Sequence, residues 1–452
     1  DLNTSAGEDV FLNKSSGGIA LFTTVRVAYS RPNFPINDNV IRNLFERNNG
    51  RRRTLGEVMQ ATKNTLSSVY KLGFCLIGDP AVKMAYPEFG MKVTTVNGQS
   101  VDGNSISFKA LEKITVEGEV LDASGQLVTD FTGIVNPTVK DSKVTVTCLK
   151  NSNKDDSPAF TFTDYPNTIF IGNDSVRNGK FSFTFTVPKD ISYSNLQGKM
   201  NLYAVDTESG NEAQGNFDNF IVGGTSDTAE TDTIGPEIRA LYLNDTTFVD
   251  GGQVNTTPYF VAELWDKSGV NITGSSVGHD MMLVIDESTV LSYNLNSYYE
   301  LLLGEDGTGI VKFPIPALEP GKHTAEFWVW DILNNSTVRT FTFEVVEGLK
   351  PFLFDVIATP GIAREQVTFH LMHNRPESRM RVGIMVYDLA GRQLWKHEES
   401  GTSGLFENYT VSWDLTSGGA RMRPGVYIYR AAISTDNSKD ATKARKFIIL
   451  GE

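Results

Sequence analysis

Apolar and polar residues follow two different periods along this chain, and the change falls near residue 88. Beyond Phe89 the period is two: ITVEGEVLD, KVTVTCLK, GKFSFTFTVP and KMNLYAVD alternate strictly, and Gly, Asn, Asp and Pro turns interrupt them about every ten residues. That pattern predicts antiparallel strands with one face in a core. Before residue 88 the signals are helical. Thr54 and Glu57 form a T-x-x-E capping box, and Leu55, Val58, Met59, Thr62, Leu66 and Val69 follow at helical spacing as one buried stripe. A further helix is predicted over Asn37–Arg47, stopping near Asn48-Asn49-Gly50. IALFTTV after Ser16-Gly17-Gly18, and FCLIG before Asp79-Pro80, read as short strands buried on both faces. The order strand, helix, helix, strand predicts parallel crossover packing. Two strands do not make a stable sheet, so this region is expected to be the closing part of an α/β domain whose front is missing.

The remainder divides by its punctuation. One β-sandwich is expected over residues 89–224, an acidic linker without apolar period (TSDTAETDTIG) over 225–235, an immunoglobulin-like sandwich over 236–348 and a last sandwich over 349–452. The predicted fold class is therefore an α/β remnant followed by three mainly-β modules. ELWDKSG and WVWDILNN nearly repeat each other and are read as edge turns of one module.

Charge and composition narrow the function. With 41 basic and 54 acidic residues the net charge is −13, and Arg51–Arg53 is the one basic block. Nucleic acid, which needs clustered cations, is excluded as a partner. The longest apolar runs, such as Ile19–Thr23 and Lys446–Leu450, fall far short of the roughly 20 residues of a membrane helix. The opening DLNTSAGEDV has neither the basic start nor the apolar core of a signal peptide. An acidic surface rich in Asn, Ser, Thr and Gly suits a secreted or cell-surface protein.

Candidate chemistry is sparse. Cys75 and Cys148 both fall in strand-like sequence and are read as buried free thiols rather than a disulfide. The five histidines, His279, His323, His370, His373 and His397, lie in the third and fourth segments, away from both cysteines, so no Cys-His or Ser-His-Asp set assembles within one module. His370 and His373 have zinc-like spacing, but QVTFHLMH is a strand pattern that sends them to opposite faces. Asn151–Asp156, Asp266 and Asp331 are candidate calcium ligands without EF-hand spacing. Asp79 is read as a turn residue and Arg51–Arg53 as solvated. Trp328 and Trp330 share a strand face and are assigned to the core, with Trp265 nearby.

Three stretches carry a family resemblance. SAGEDVFLNKSSGGIALFTTVRVAYS, the capped helix and GFCLIGDPAVKMAYP resemble the end of the catalytic domain in gingipain-like cysteine peptidases, and within them the PorU-type sortases of type IX secretion. YPNTIFIGNDSVRNGKFSFTFTVPKDI resembles the sandwich after the peptidase. VYDLAGRQLW, SWDLTSGGARMRPGVYIYRA and KARKFIIL resemble type IX C-terminal signal domains. The resemblance implies a catalytic Cys and His upstream of residues 1–88, so that no catalytic, cofactor-binding or metal residue is assigned within this chain and Cys75 is not the nucleophile. It also implies location on the outer face of the outer membrane, docking of residues 349–452 on the outer-membrane β-barrel shuttle protein, and cargo proteins with signal domains as substrates. A secreted gingipain-like protease cargo and a non-enzymatic adhesin-like β-array are the alternatives. No cofactor is implied; structural calcium is the one metal left open.

Overall fold

The computed structural model describes residues 6–13, 17–25, 30–48, 50–150, 158–227, 232–274, 278–302, 307–405, 407–435 and 437–450. The calcium candidate stretch Asn151–Asp156 and residues 228–231 of the expected linker lie outside them.

Near the start, helices Ser30–Phe45 and Leu55–Thr65 pack on a two-stranded sheet of Ala20–Thr24 and Phe74–Gly78. The capping box forms as predicted: Thr54 Oγ1 accepts from Glu57 N at 3.3 Å, and Glu57 Oε2 accepts from Thr54 N at 2.8 Å. Two more first-turn amides, which no helix can satisfy internally, are taken up by the Gly-Asp-Pro turn. Leu55 N donates to Val82 O at 2.8 Å and Gly56 N to Pro80 O at 3.0 Å. A Cβ on Gly56 would stand 2.8 Å from Pro80 Cβ, so a side chain there would push the turn off the helix. Asp79 Oδ1 accepts from Ala81 N at 2.8 Å, the turn role read from sequence.

Several expectations for this region are corrected. The two strands run antiparallel, Ala20 opposite Gly78 and Thr24 opposite Phe74, because the 3-10 turn Val69–Gly73 reverses the chain before the second strand. They are half-buried along their whole length rather than enclosed on both faces. The helix expected over Asn37–Arg47 begins at Ser30 and stops at Phe45, earlier at both ends than predicted, and a short helix, Ala6–Leu12, precedes the first strand. The capped helix ends at Thr65, which leaves Leu66 as its C-cap and Val69 71% exposed, so the buried stripe closes at Thr62.

From Phe89 on the structure is β. In the first β region the pairings run from Gly133–Lys140 through Asp174–Arg177, Lys180–Thr186, Lys113–Leu121, Phe89–Val96, Glu212–Phe217 and Lys199–Asp206 back to Gly133–Lys140, so the sheet closes on itself around Val116, Val135, Phe183 and Met200. The second region packs a four-stranded sheet on a five-stranded one around Phe260, Leu283, Val311 and Phe327. The third packs a three-stranded sheet on a five-stranded one around Phe369, Ile384, Tyr429 and Phe447. Strand parity decides the tryptophans. Along Gly321–Trp330 the core face is Ala325, Phe327 and Val329, so Trp328 and Trp330 stand on the opposite, half-buried face instead of in the core.

Cys75 is half-buried in its strand, and Cys148 lies just past the strand Val144–Thr147, exposed rather than buried; both are free thiols.

Entry into the third β region hangs on one buried cation. Arg375, 1% exposed, donates to Asn374 Oδ1 at 2.9 Å and to Leu349 O at 3.1 Å, while its carbonyl accepts from Ser403 Oγ at 2.6 Å. Arg375→Ala would take a donor from Leu349 O and from Asn374 Oδ1, which keeps its bond from Phe352 N, and would empty the buried space the side chain fills, a loss of about 2–4 kcal/mol. Hydrogen exchange of the strand Arg379–Tyr387 is expected to accelerate accordingly, while Phe89–Val96 stays protected.

Candidate functional site

The two similar turns ELWDKSG and WVWDILNN meet in space, joined by a bridge between Val270 and Asp331. Each places an aspartate directly after a strand-ending tryptophan, and each aspartate organises its own turn. Asp266 Oδ1 accepts from Ser268 N and Gly269 N, both at 2.8 Å. Asp331 Oδ1 accepts from Leu333 N at 2.9 Å and Asn335 N at 2.7 Å, and its Oδ2 accepts from Asn335 Nδ2 at 2.7 Å. A third carboxylate joins them from the segment read as linker. Asp232 accepts from Ile234 N at 3.0 Å and Ser268 Oγ at 2.8 Å. One oxygen from each of Asp232, Asp266 and Asp331 lies within 4.8 Å of the other two, with Asp266 and Asp331 buried.

Gathering three carboxylates out of water sets their acidities apart. Burial pushes the Asp266 carboxyl up to about 6, against the pull of its two amide donors, and Asp331 and Asp232 add to the rise. Burial likewise raises Asp331, whereas the Ile234 amide and the Ser268 hydroxyl hold Asp232 below the usual carboxylate range. Hard oxygen donors in this number can hold a divalent cation of the calcium type. Asp266 and Asp331 were legible as candidates in the sequence; Asp232 was not, because TSDTAETDTIG carries no ligand spacing and only the fold brings it to the two turns.

The Asp331 turn is also where two β regions join. Asp190, in the loop after the strand Lys180–Thr186, accepts from Asn334 Nδ2 at 2.8 Å and Asn271 Nδ2 at 3.4 Å and pairs with His279 Nδ1 at 2.6 Å. Lys189 N donates to Ile332 O at 2.8 Å, and the His279 ring sits 4.5 Å from Trp330.

The other sequence candidates are dispersed. His323 pairs with Asp286 at 2.7 Å and His397 with Glu399 at 3.0 Å. His370 and His373 lie on one strand, Val367–His373. His373 is pushed down to about 4 by burial and by Arg375. No described histidine hydrogen-bonds either cysteine, so the nucleophile–base pair that thiol catalysis needs is not formed by these residues. Of the arginines read as solvated, Arg51 is exposed, its side chain 54% accessible while pairing with Glu57 at 2.5 Å, whereas the Arg52 and Arg53 side chains are only 12% and 15% exposed and Arg53 pairs with Glu46 at 2.8 Å.

Residues 1–85 match the model of peptidase family C25, which marks the α/β region as a gingipain-family peptidase segment. Beyond that segment, the chain is similar in sequence over most of its length to a solved structure. It is 36% identical over 96% of its length to dimeric latent PorU from Porphyromonas gingivalis, at a TM-score of 0.39, and it spans 41% of that protein. Two further solved structures share far less. A tetra-tandem repeat in the extending region of a large adhesion protein is 14% identical over 81% of this chain and 74% of its own, at a TM-score of 0.17. SGBP-B of the mixed-linkage glucan utilization locus of Bacteroides ovatus is 9% identical over 76% and 65%, at 0.23. No curated protein sequence matches the chain.

The carboxylate trio gives a signed prediction. The folded pKa of Asp266 is raised above its ordinary value of 3.8. The folded state therefore keeps the proton longer than the unfolded chain, and stability falls as pH rises from about 4 to about 6, with the full penalty present above that. In chelator, Asp266→Asn is expected to flatten this part of the stability–pH curve and to raise stability at pH 7 by about 1–3 kcal/mol. Calcium at about 100 times its Kd would stabilise the parent by about 2.7 kcal/mol and leave Asp266→Asn unchanged. Thermal unfolding across pH, with and without calcium, measures both.

Proposed function

We propose that this chain is the C-terminal portion of a cell-surface cysteine endopeptidase of type IX secretion, a sortase that removes C-terminal signals from cargo. Residues 1–88 complete the peptidase domain. Residues 89–224 and 236–348, with 225–235 between them, form a scaffold, and residues 349–452 are a signal-type domain that docks the protein on its outer-membrane barrel partner. In this reading the catalytic Cys and His lie outside residues 1–452, and Cys75 and Cys148 are bystanders.

The observation that carries the reading is the unfinished surface of the α/β region. Among the described residues its sheet has two strands, and its buried cluster is Ile36, Val40 and Val58. Around that small core Leu12, Ile19, Val25, Phe34 and Leu72 are each at least 66% exposed. A sheet of two strands with both faces half-covered does not stabilise itself, and an apolar surface of this kind calls for further protein against it. The match of residues 1–85 to peptidase family C25 supports the remainder of a peptidase domain as the cover.

The thiolate chemistry of such an enzyme, attack on the scissile carbonyl and release of the acyl group to water or an amine, would then run in the covering part. In the longer protein, Cys75→Ala is expected to leave cleavage of a signal-domain substrate within about twofold of the parent, while residues 1–452 alone cleave nothing. Loss of activity on Cys75→Ala would contradict the reading. The mature cell-surface protein should retain residues 349–452 by mass spectrometry; their removal would point instead to a secreted protease cargo.

A further inference from the structure

The hairpin before the capped helix faces the segment that leads into the first β region, and together they enclose an open recess of about 570 Å³. Arg47, Arg51 and Arg52 line it from the hairpin, and Lys83, Tyr86 and Glu88 from the segment opposite. Two acids answer these four cations. Glu88 pairs with Arg47 at 2.8 Å, and Glu57, on the helix, pairs with Arg51 at 2.5 Å. Among the described residues the lining cations thus outnumber the acids that pair with them by two, with Arg52 3.8 Å from the same Glu88 that pairs with Arg47. The remaining nearby base, Arg53, is occupied by Glu46 outside the recess.

Arg52 is held rather than neutralised. Its guanidinium lies 3.7 Å over the Tyr86 ring, one terminal nitrogen donates to Pro87 O, and Tyr86 in turn donates to Leu44 O. Its Nε is buried and finds no hydrogen-bond partner among the described residues, with the nearest Glu88 oxygen 3.8 Å away. Desolvation, then the adjacent Arg47 charge, lower its pKa from the ordinary arginine value. A planar cation fixed by stacking, with a second guanidinium beside it, is an arrangement suited to binding oxyanions. The local charge is the reverse of the chain's, which is −13 overall, so the basic recess is a local feature and not the edge of a general one.

We propose that this recess, formed by Arg47, Arg51, Arg52 and Lys83, binds a tetrahedral dianion, a phosphate or the phosphate of a phosphomonoester. An excess of two cations over their paired acids matches a dianion better than a single carboxylate. The recess is open, so the rest of a larger ligand can extend into solvent. The anion would bridge the hairpin to residues 83–88, tying the α/β region to the start of the first β region. The proposal stands on residues of this chain alone and does not depend on the peptidase reading.

Isothermal titration calorimetry of residues 1–452 with sodium phosphate, sodium sulfate, glycerol 3-phosphate and acetate tests it. The dianions are expected to bind with Kd values of about 0.1–1 mM at low salt, acetate about tenfold or more weakly, and dianion affinity should fall as salt is raised. Lys83→Gln, a change at an exposed rim position that leaves the hairpin contacts in place, should weaken phosphate about three- to tenfold, and Arg52→Lys, which keeps the charge but loses the fork, about tenfold. Tighter binding of glycerol 3-phosphate identifies a phosphomonoester and tighter binding of inorganic phosphate the free ion; either supports the site. No heat with any dianion up to about 10 mM, or phosphate binding equal in the parent and Lys83→Gln, would overturn it.

Discussion

The arrangement of the first two β regions rests on Asp190. It leaves the first region just after the strand Lys180–Thr186 and is received by three side chains of the second, Asn334, Asn271 and His279. A carboxylate this enclosed is costly unless its lone pairs are used, and here one partner, Asn334, comes from a turn that Asp331 has already shaped with its own hydrogen bonds, while Asn271 and His279 come from the segment after the Asp266 turn. Beside these contacts, Ile171 from the first region packs against the second region's core, and Asn173 Nδ2 donates to Leu301 O at 2.7 Å. The joint is thus polar and apolar together, which fits a spacer of defined geometry better than loosely strung modules.

What could be read from the sequence was whatever is decided locally. Alternation of the kind in KFSFTFT fixes which side chains enter a core, and Phe181, Phe183 and Phe185 enter it together. Thr54 and Glu57 start a helix wherever they meet that spacing. Properties set by distant partners were not legible. The sense of Phe74–Gly78 depends on how a three-residue-per-turn segment reverses the chain, and the 49 residues between the two strands permit either sense. The face taken by Trp328 and Trp330 was misread because parity alone does not say which of two alternating sets is inside; the paired strand Ser336–Val345, with Phe341 and Phe343 inward, decides it. Asp232 and Arg52 became informative only when the fold brought their neighbours to them.

The two ends of the molecule are unlike in what they leave exposed. The β regions close their own cores, and two large polar side chains are buried in them: Arg375, whose terminal nitrogens donate to Asn374 and Leu349, and Tyr429, whose hydroxyl donates to Val356 O at 3.0 Å. The α/β region does not close, and its match to a peptidase family falls on that part of the chain. Family match and closed cores therefore separate along the chain: residues 1–85 carry the peptidase-family match, and the three large buried cores lie in the β structure that follows.

If the β regions work as a scaffold, the first two must move as one body. Pulsed electron spin resonance between labels at the exposed positions Asp102 and Val290, in a Cys75→Ser, Cys148→Ser background, measures this directly. The account predicts one narrow distance distribution that broadens on Asp190→Ala while both regions stay folded. A distribution already broad in the parent, or one that Asp190→Ala leaves unchanged, would contradict it.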